Sequence, residues 1–320
     1  MQKKWKELIS NNDNTYFFHS PLWAKIIEKS FDEYNTNTRI YHINGNEILV
    51  PMMKKNQYGF KFLYSMPFGS YGGFFSKSSI SSNDIKNVIN KIIGGRNLNF
   101  NFTIPPLSNL PLDFAKNPKV IEVNKIWSYT HILSVDKDFE YIWKNKFNRR
   151  ARRSIKKAQK HNITIREGDS LDDFKAYHDI YAKAIKKWDM KNPPDPFDFY
   201  KNMYKYGSDY VNLYLAILND EIIAGLLTFN YGKTVFMYGS AFLNEYGSFH
   251  PTSLIYGHII KNACNESYKY VNMGSSGDIS GVRKFKENFG SETIKTNSFS
   301  ACSLIGRLGS KLYGAISDSI

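Results

Sequence analysis

The chain has 320 residues, is 42% hydrophobic and 16% aromatic, and contains 21 glycines and 11 prolines. That length fits one large domain or two of about 150 residues, and the composition excludes a disordered polar chain, a collagen-like repeat and a disulfide scaffold. Lys and Arg number 43 against 29 Asp and Glu, a net charge of +14, which predicts an anionic partner: phosphate, nucleic acid or an acidic membrane surface.

In chain order, the first helix expected spans 20–31. Ser20 stands at its N-cap and Pro21 at its first position, and Trp23, Ile26, Ile27 and Phe31 recur at helical spacing. Strands at 38–43 and 47–53 follow, joined by Asn44-Gly45, a two-residue hairpin signal. A strand at 61–65 leads into Pro67-Phe-Gly-Ser-Tyr-Gly-Gly-Phe74, then come a helix at 83–93, a strand at 97–104 and a proline-punctuated loop at 105–111. The second half opens with a strand at 130–135, a short helix at 139–147 and a basic helix at 149–161. A strand at 163–167 and helices at 171–188 and 196–206 come next. Three strands, 210–218, 221–231 and 234–241, precede a helix at 251–267, a strand at 268–273, a short helix at 281–288 and a last strand at 293–299.

Both halves share a helix-then-antiparallel-strand rhythm. This predicts an α+β fold of two related modules, 1–118 and 119–320, with the division falling in the stretch 112–126 and an amphipathic tail at the end of the second. Cys264 and Cys302 are too few for a disulfide framework or a Cys-rich zinc site. The charged start has no apolar h-region, and no window approaches the ~18 apolar residues of a membrane span. The expectation is a soluble, cytoplasmic protein.

The basic helix is the strongest local anomaly. From Lys144 to Lys160 there are nine cations and no acid. Phe147, Ala151, Ile155 and Ala158 make one apolar stripe, whereas Arg149, Arg153, Lys156 and Lys160 share another face, where Arg can grip phosphate bidentately. The plainer reading is a solvated charged face, yet no acid offers an i, i+4 partner. A second feature, Met273-Gly-Ser-Ser-Gly-Asp-Ile-Ser-Gly281, joins a strand to a helix, and its amides could form an anion-binding concavity. It matches no nucleotide motif, and an ordinary strand-to-helix turn is the alternative. Beyond it, Gly281-Val-Arg-Lys-Phe-Lys-Glu-Asn-Phe-Gly290 points Phe285 and Phe289 inward and Arg283, Lys284 and Lys286 elsewhere. A lysine at the mouth of such a loop can steady a developing negative charge. The histidines are scattered, and none pairs at zinc-ligand spacing. At 304–316, Leu304, Ile305, Leu308, Leu312 and Ile316 form an apolar stripe beside Arg307 and Lys311; it suits docking on the protein's own body or contact with an anionic membrane.

These segments together resemble the Fem-type aminoacyltransferases and their relatives among the GNAT-like N-acyltransferases. The resemblance rests on Phe18-His-Ser-Pro-Leu-Trp23, the 67–73 segment, Thr130-His-Ile-Leu133 ahead of Trp143, the basic helix, Tyr238-Gly-Ser-Ala241, His250-Pro-Thr-Ser-Leu254, Asn272-Met-Gly-Ser-Ser276 and the 281–290 segment. It implies two tandem GNAT-like modules, each a mixed or antiparallel twisted sheet flanked by helices, with the active site at the second. It also implies transfer of an acyl or aminoacyl group to an amine, often of a peptidoglycan precursor, with Lys286 as the catalytic residue near the acyl carbonyl. The candidate substrate-binding residues are Trp23, Tyr71, Arg149, Arg153, Lys156, Tyr238, Ser275 and Arg283. The Q/R-x-x-G-x-G/A loop of acyl-CoA users does not precede 251; the segment there, Asn244-Glu-Tyr-Gly-Ser-Phe-His250, has one glycine. The stretch 171–206 leaves no room for the long coiled-coil arm of larger Fem proteins.

The expected function is therefore an amide-forming N-acyl or aminoacyl transferase acting on a cell-envelope precursor, a peptidoglycan-type peptide or an amino sugar. Its donor would be aminoacyl-tRNA or acyl-CoA, with no tightly bound cofactor. Its partners would be anionic donor and acceptor substrates, a nucleotide-linked precursor or tRNA, and it would work in the cytoplasm, up to the inner face of the membrane. The alternative is a basic RNA-binding protein without transferase activity.

Overall fold

A computed structural model of the chain describes residues 1–320 apart from 11–13, 58–59, 69–70, 94–96, 124–128, 188–194, 208, 278 and 304–320. The amphipathic stripe expected at 304–316 lies outside the described residues.

The chain opens with α1 (Gln2–Ser10) and α2 (Pro21–Ser30), followed by β1 (Tyr34–Thr36), β2 (Arg39–Ile43), β3 (Asn46–Val50), β4 (Met53–Gln57) and β5 (Phe60–Ser65). Then come α3 (Ser82–Ile92), β6 (Asn97–Thr103), β7 (Val120–Glu122) and β8 (Tyr129–Ser134). Next are α4 (Phe139–Tyr141), α5 (Arg149–Lys160), β9 (Thr164–Gly168), α6 (Leu171–Lys187), α7 (Phe197–Gly207), β10 (Val211–Leu218), β11 (Glu221–Tyr231) and β12 (Thr234–Phe242). The chain closes with α8 (Pro251–Asn265), β13 (Tyr270–Asn272), α9 (Ser280–Glu287), β14 (Glu292–Lys295) and β15 (Ser298–Cys302).

Local chemistry accounts for many of these boundaries. Ser20 caps α2, its side chain accepting from the Trp23 amide, with Pro21 in the first turn. Asn44 and Gly45 both take positive φ, 49° and 79°, as the turn between β2 and β3 requires. Ser81 and Asp84 form a reciprocal capping box at α3. Asn148 caps α5 by accepting from the amides of Arg150 and Ala151. The short helix expected over 139–147 is α4 continued by one π-helical turn, Ile142–Lys146.

Two compact units result, Met1–Ser128 with the segment from Thr296 onward, and Tyr129–Lys295. The first holds a mixed sheet in the order β1-β4-β5-β6-β15-β7 and the separate β2–β3 hairpin. Its core is aromatic: the Phe299 ring lies 5.4 Å from Phe102 and 4.9 Å from Phe114, with Phe74 5.4 Å from Phe102, and α3 lays Ile85, Val88, Ile89 and Ile92 into the same cluster. The single strand expected at 293–299 is two strands in different sheets. β14 pairs with β8, whereas β15 pairs antiparallel with β6 and β7. The sequence division at 118/119 assigns β7 and β15 to the second module, but both are built into the first unit's sheet.

The second unit's sheet runs β14-β8-β13-β12-β11-β10-β9. Along β11, Ala224 and Leu226 join the cluster that contains Ile255 and Ile259 of α8 and Ala151 and Ile155 of α5. Gly225 between them faces the other way, against Tyr177 of α6, so α6 and α8 cover opposite faces. β13 pairs in parallel with β12 over Thr234–Phe236 alone, yet β12 runs on to Phe242. β13 ends at Asn272, opposite Phe236, so beyond Phe236 that side of β12 opens onto the loop that starts at Met273.

Candidate active site

The opening between β12 and β13 is built by three elements. Gly274, the second residue after β13, has φ 70°, and a Cβ there would lie 3.4 Å from Met237 O of β12; the turn needs glycine on both counts. Asn272 anchors it: its Oδ1 accepts from Thr130 Oγ1 at 2.7 Å and from the Gly274 amide at 2.9 Å. Backbone bonds to β8 complete the strap, His131 N to Gly274 O at 3.2 Å and Met273 N to His131 O at 2.8 Å. The Gly277 amide donates to Ser275 Oγ at 3.1 Å. The concavity of open amides expected here is therefore corrected at Gly274 and Gly277, whose N–H groups already serve Asn272 and Ser275. The loop presents carbonyls to its interior instead.

Lys286 of α9 meets those carbonyls. It is only 5% exposed, and its Nζ donates to Gly274 O at 3.1 Å and to Ser275 O at 2.7 Å. Burial without a carboxylate partner pushes the amine down from its ordinary 10.5 to about 7. The ammonium has three N–H donors; two are engaged by the loop and one is left for a substrate atom.

Beside it runs a hydroxyl–imidazole chain, buried at His131 and Ser276 and exposed at Thr293 and Glu287, whose histidine the sequence alone leaves among the scattered ones. His131 Nε2 lies 3.0 Å from Ser276 Oγ and its Nδ1 3.3 Å from Thr293 Oγ1, which in turn donates to Glu287 Oε1 at 3.3 Å. With that Thr293 proton on Glu287, Nδ1 carries the imidazole hydrogen and Nε2 accepts from Ser276. Burial, then the charges of Lys286 and Arg283, push His131 down to about 4, so it is neutral at pH 7. The one signal in the sequence was a histidine inside the strand run Thr130-His-Ile-Leu133.

The other expected site residues fall into three groups. Ser275, half-buried, and Arg283, exposed, share the loop and helix with Lys286; the Arg283 guanidinium stands 5.7 Å over the Tyr129 ring. Tyr238, half-buried on β12, follows Met237 at the same opening, and its ring lies 5.0 Å from Phe229. Arg149, Arg153 and Lys156 are exposed along α5, and among the described residues none of them is in an ion pair. The start of α5 is tied to the end of α9, with Asn148 N donating to Asn288 O at 2.9 Å and Asn148 Nδ2 to Asn288 Oδ1 at 2.7 Å. Trp23 and Tyr71 belong to the first unit and are buried among rings. Trp23 packs edge-on against Phe18 at 5.1 Å and Tyr71 against Tyr16 at 4.9 Å. Trp23 is 0% exposed, so its expected place as a ligand contact is corrected to a core position.

A sequence model described as the acetyltransferase (GNAT) domain matches residues 145–287. No curated protein matches the sequence. The fold is similar to the crystal structure of FemX, with 12% identity, a TM-score of 0.75 and coverage of 99% of this chain and 98% of that one. It is similar to L-PGS from Bacillus licheniformis, with 12% identity, a TM-score of 0.54 and coverage of 89% and 96%. A tandem GNAT protein from the clavulanic acid biosynthesis pathway shares it at 8% identity and a TM-score of 0.53, covering 94% and 95%. The tandem GNAT-like, Fem-like fold expected from the motifs is thus the fold observed. No helix among the described residues is long and apolar enough to cross a membrane.

Proposed function

We propose that this protein transfers an aminoacyl or acyl group from a carrier to an amine of a cell-envelope precursor, forming an amide. The observation that carries the reading is Lys286: a buried cation beside the sheet opening, held by two carbonyls, with one N–H to give. The amine attacks the donor carbonyl, negative charge develops on the carbonyl oxygen, and the third N–H of Lys286 stabilises it. The tetrahedral centre then collapses: the new C–N bond remains, the ester or thioester bond to the carrier breaks, and the proton lost by the attacking nitrogen ends on the carrier's freed hydroxyl or thiol. No enzyme nucleophile is required.

Aminoacyl-tRNA is the donor we favour. The unpaired cations of α5 suit a polyphosphate backbone, and the segment before α8 is a 3-10 turn, Asn244–Phe249, rather than a glycine-rich loop. We place the reaction in the cytoplasm, with the 304–316 stripe as the candidate for membrane contact; a full-length sample that stays at the bottom in flotation with anionic liposomes removes that contact.

The test is to incubate the pure protein with charged tRNA, or with acyl-CoA, and a nucleotide-linked muropeptide or amino-sugar acceptor, and to follow mass transfer. A product with charged tRNA supports the reading, one with acyl-CoA alone replaces the donor, and none with either removes the transferase. The exposed cations of α5 also favour a second reading, RNA binding without transfer. A plain RNA binder would hold charged and uncharged tRNA equally.

A further inference from the structure

The face of the second unit's sheet opposite α8 carries a group of phenols that the transfer step leaves unused. Tyr177 and Tyr181 of α6 and Tyr200 of α7 stand together, with ring centroids 6.0 Å apart for the first two, 5.8 Å for Tyr177 and Tyr200, and 6.3 Å for Tyr181 and Tyr200. They close on a bulge in β12. The register slips there, Leu226 pairing with Ser240 and Leu227 with Tyr238, so Gly239 is the extra residue, with φ 63°. Its carbonyl accepts from the Tyr177 hydroxyl at 2.8 Å, and a Cβ on it would lie 3.3 Å from the Tyr181 ring. Tyr177 and Tyr200 are buried, whereas Tyr181 and Tyr238 are half-buried. The group has a closed back and an open front.

One carboxylate lies within electrostatic reach of these rings. Asp195 precedes α7, with its backbone carbonyl 3.0 Å from His178 Nε2, and its side chain makes no hydrogen bond or ion pair with any described residue. Burial raises its carboxyl above the usual range, and its charge raises all four phenols further. Among the described residues only His178 bears on its charge; a partly buried anion so weakly compensated is costly, and the faces of tyrosine rings attract cations. The complement to both is a small cation with N–H donors.

We propose that Asp195, Tyr181 and Tyr238, backed by Tyr177 and Tyr200, form a box that holds a substrate's ammonium group beside the Gly239 bulge. The box itself stands on this geometry; its place in catalysis rests on the transferase reading. The ammonium has two sources there, the α-amino group of an aminoacyl donor or the side-chain amine of the acceptor.

Calorimetric titration of the full chain with two probes separates them: alanine methyl ester for the donor, Nα-acetyl-lysinamide for the acceptor, each against its N-acetylated counterpart. One ammonium probe is expected to bind, its acetylated counterpart at least about tenfold more weakly. Asp195→Asn should weaken it by about tenfold or more and Tyr181→Leu by about threefold, both folded by circular dichroism. Should Asp195→Asn not fold, Tyr181→Leu and the acetylated probes decide. Equal binding of charged and acetylated probes, unchanged affinity in the variants, or no binding of either probe overturns the box. A protein that binds ammonium through Asp195 yet transfers nothing keeps the box and loses the transferase; one that transfers while both variants bind normally does the reverse.

Discussion

The two units are both mixed sheets flanked by helices, but they bury different chemistry. In the first unit the buried ionisable groups Asp84 and His19 hold caps and turns, Asp84 at the α3 cap also accepting from Asn44 Nδ2 of the β2–β3 turn at 2.7 Å. Asp84 accepts from Ser81 N at 3.0 Å and from its hydroxyl at 2.7 Å. His19, pushed down to about 3 by burial, accepts from Tyr16 N at 3.0 Å. In the second unit buried polar groups converge from far apart in sequence: His131 from β8, Asn272 at the end of β13, Ser276 after it and Lys286 from α9, with the exposed Thr293 of β14 at their edge. A buried charge at a cap is a device for folding; several arriving at one opening from separate elements mark a site, because only function repays so much desolvation.

The comparison can be broken at Trp23, where the largest effect is expected. Trp23→Ala removes a fully buried ring of the first unit and should destabilise the chain by about 3–5 kcal/mol, seen in denaturant unfolding. Activity per folded molecule should stay unchanged, and a fall in kcat beyond the unfolded fraction would draw that unit into the chemistry. Lys286→Ala should do the opposite, lowering kcat by roughly 10²–10³ while the fold survives.

The pH behaviour of Lys286 sharpens the contrast. Its folded value, about 7, lies below its ordinary 10.5. Between those values the unfolded chain binds more protons, so its contribution makes stability rise with pH across that window; the penalty builds as pH falls from 10.5 and levels off below 7. Thermal melting from pH 6 to 10 should show a rise that Lys286→Met lacks. Because the third N–H belongs to the ammonium, kcat should decline as pH climbs through about 7; a climbing profile would make Lys286 the base instead.

Two smaller effects follow. Arg153→Ala should weaken binding of a polyanionic substrate by about 1–3 kcal/mol, less at high salt, since exposed charges are screened within ~8–10 Å at near-physiological ionic strength. A loss that does not vary with salt would take α5 out of phosphate binding. Ser20→Ala, at the α2 cap of the first unit, should cost about 1 kcal/mol of stability and leave every kinetic constant alone. Any change in KM there would blur the line between the units.

What the amino-acid order determined by itself is whatever depends on neighbours. Ser20-Pro21 starts α2, Asn44-Gly45 turns the hairpin, the stripe Phe147, Ala151, Ile155 and Ala158 docks α5, and Lys286 stands out beside its glycine-bearing loop, because caps, turns and periodicity act within one or two turns of chain. Tertiary structure alone decided the rest. It split the final strand, sending β15 to β6 across a separation of 195 residues at Thr103 and Ser298. It turned Lys286 inward onto two carbonyls, joined His131 to Ser276 145 residues away, and slipped the β11–β12 register by the one residue that turns Gly239 toward the tyrosines. Pairings over such distances leave no periodicity in the sequence, and a bulge moves side chains between faces without changing a single residue.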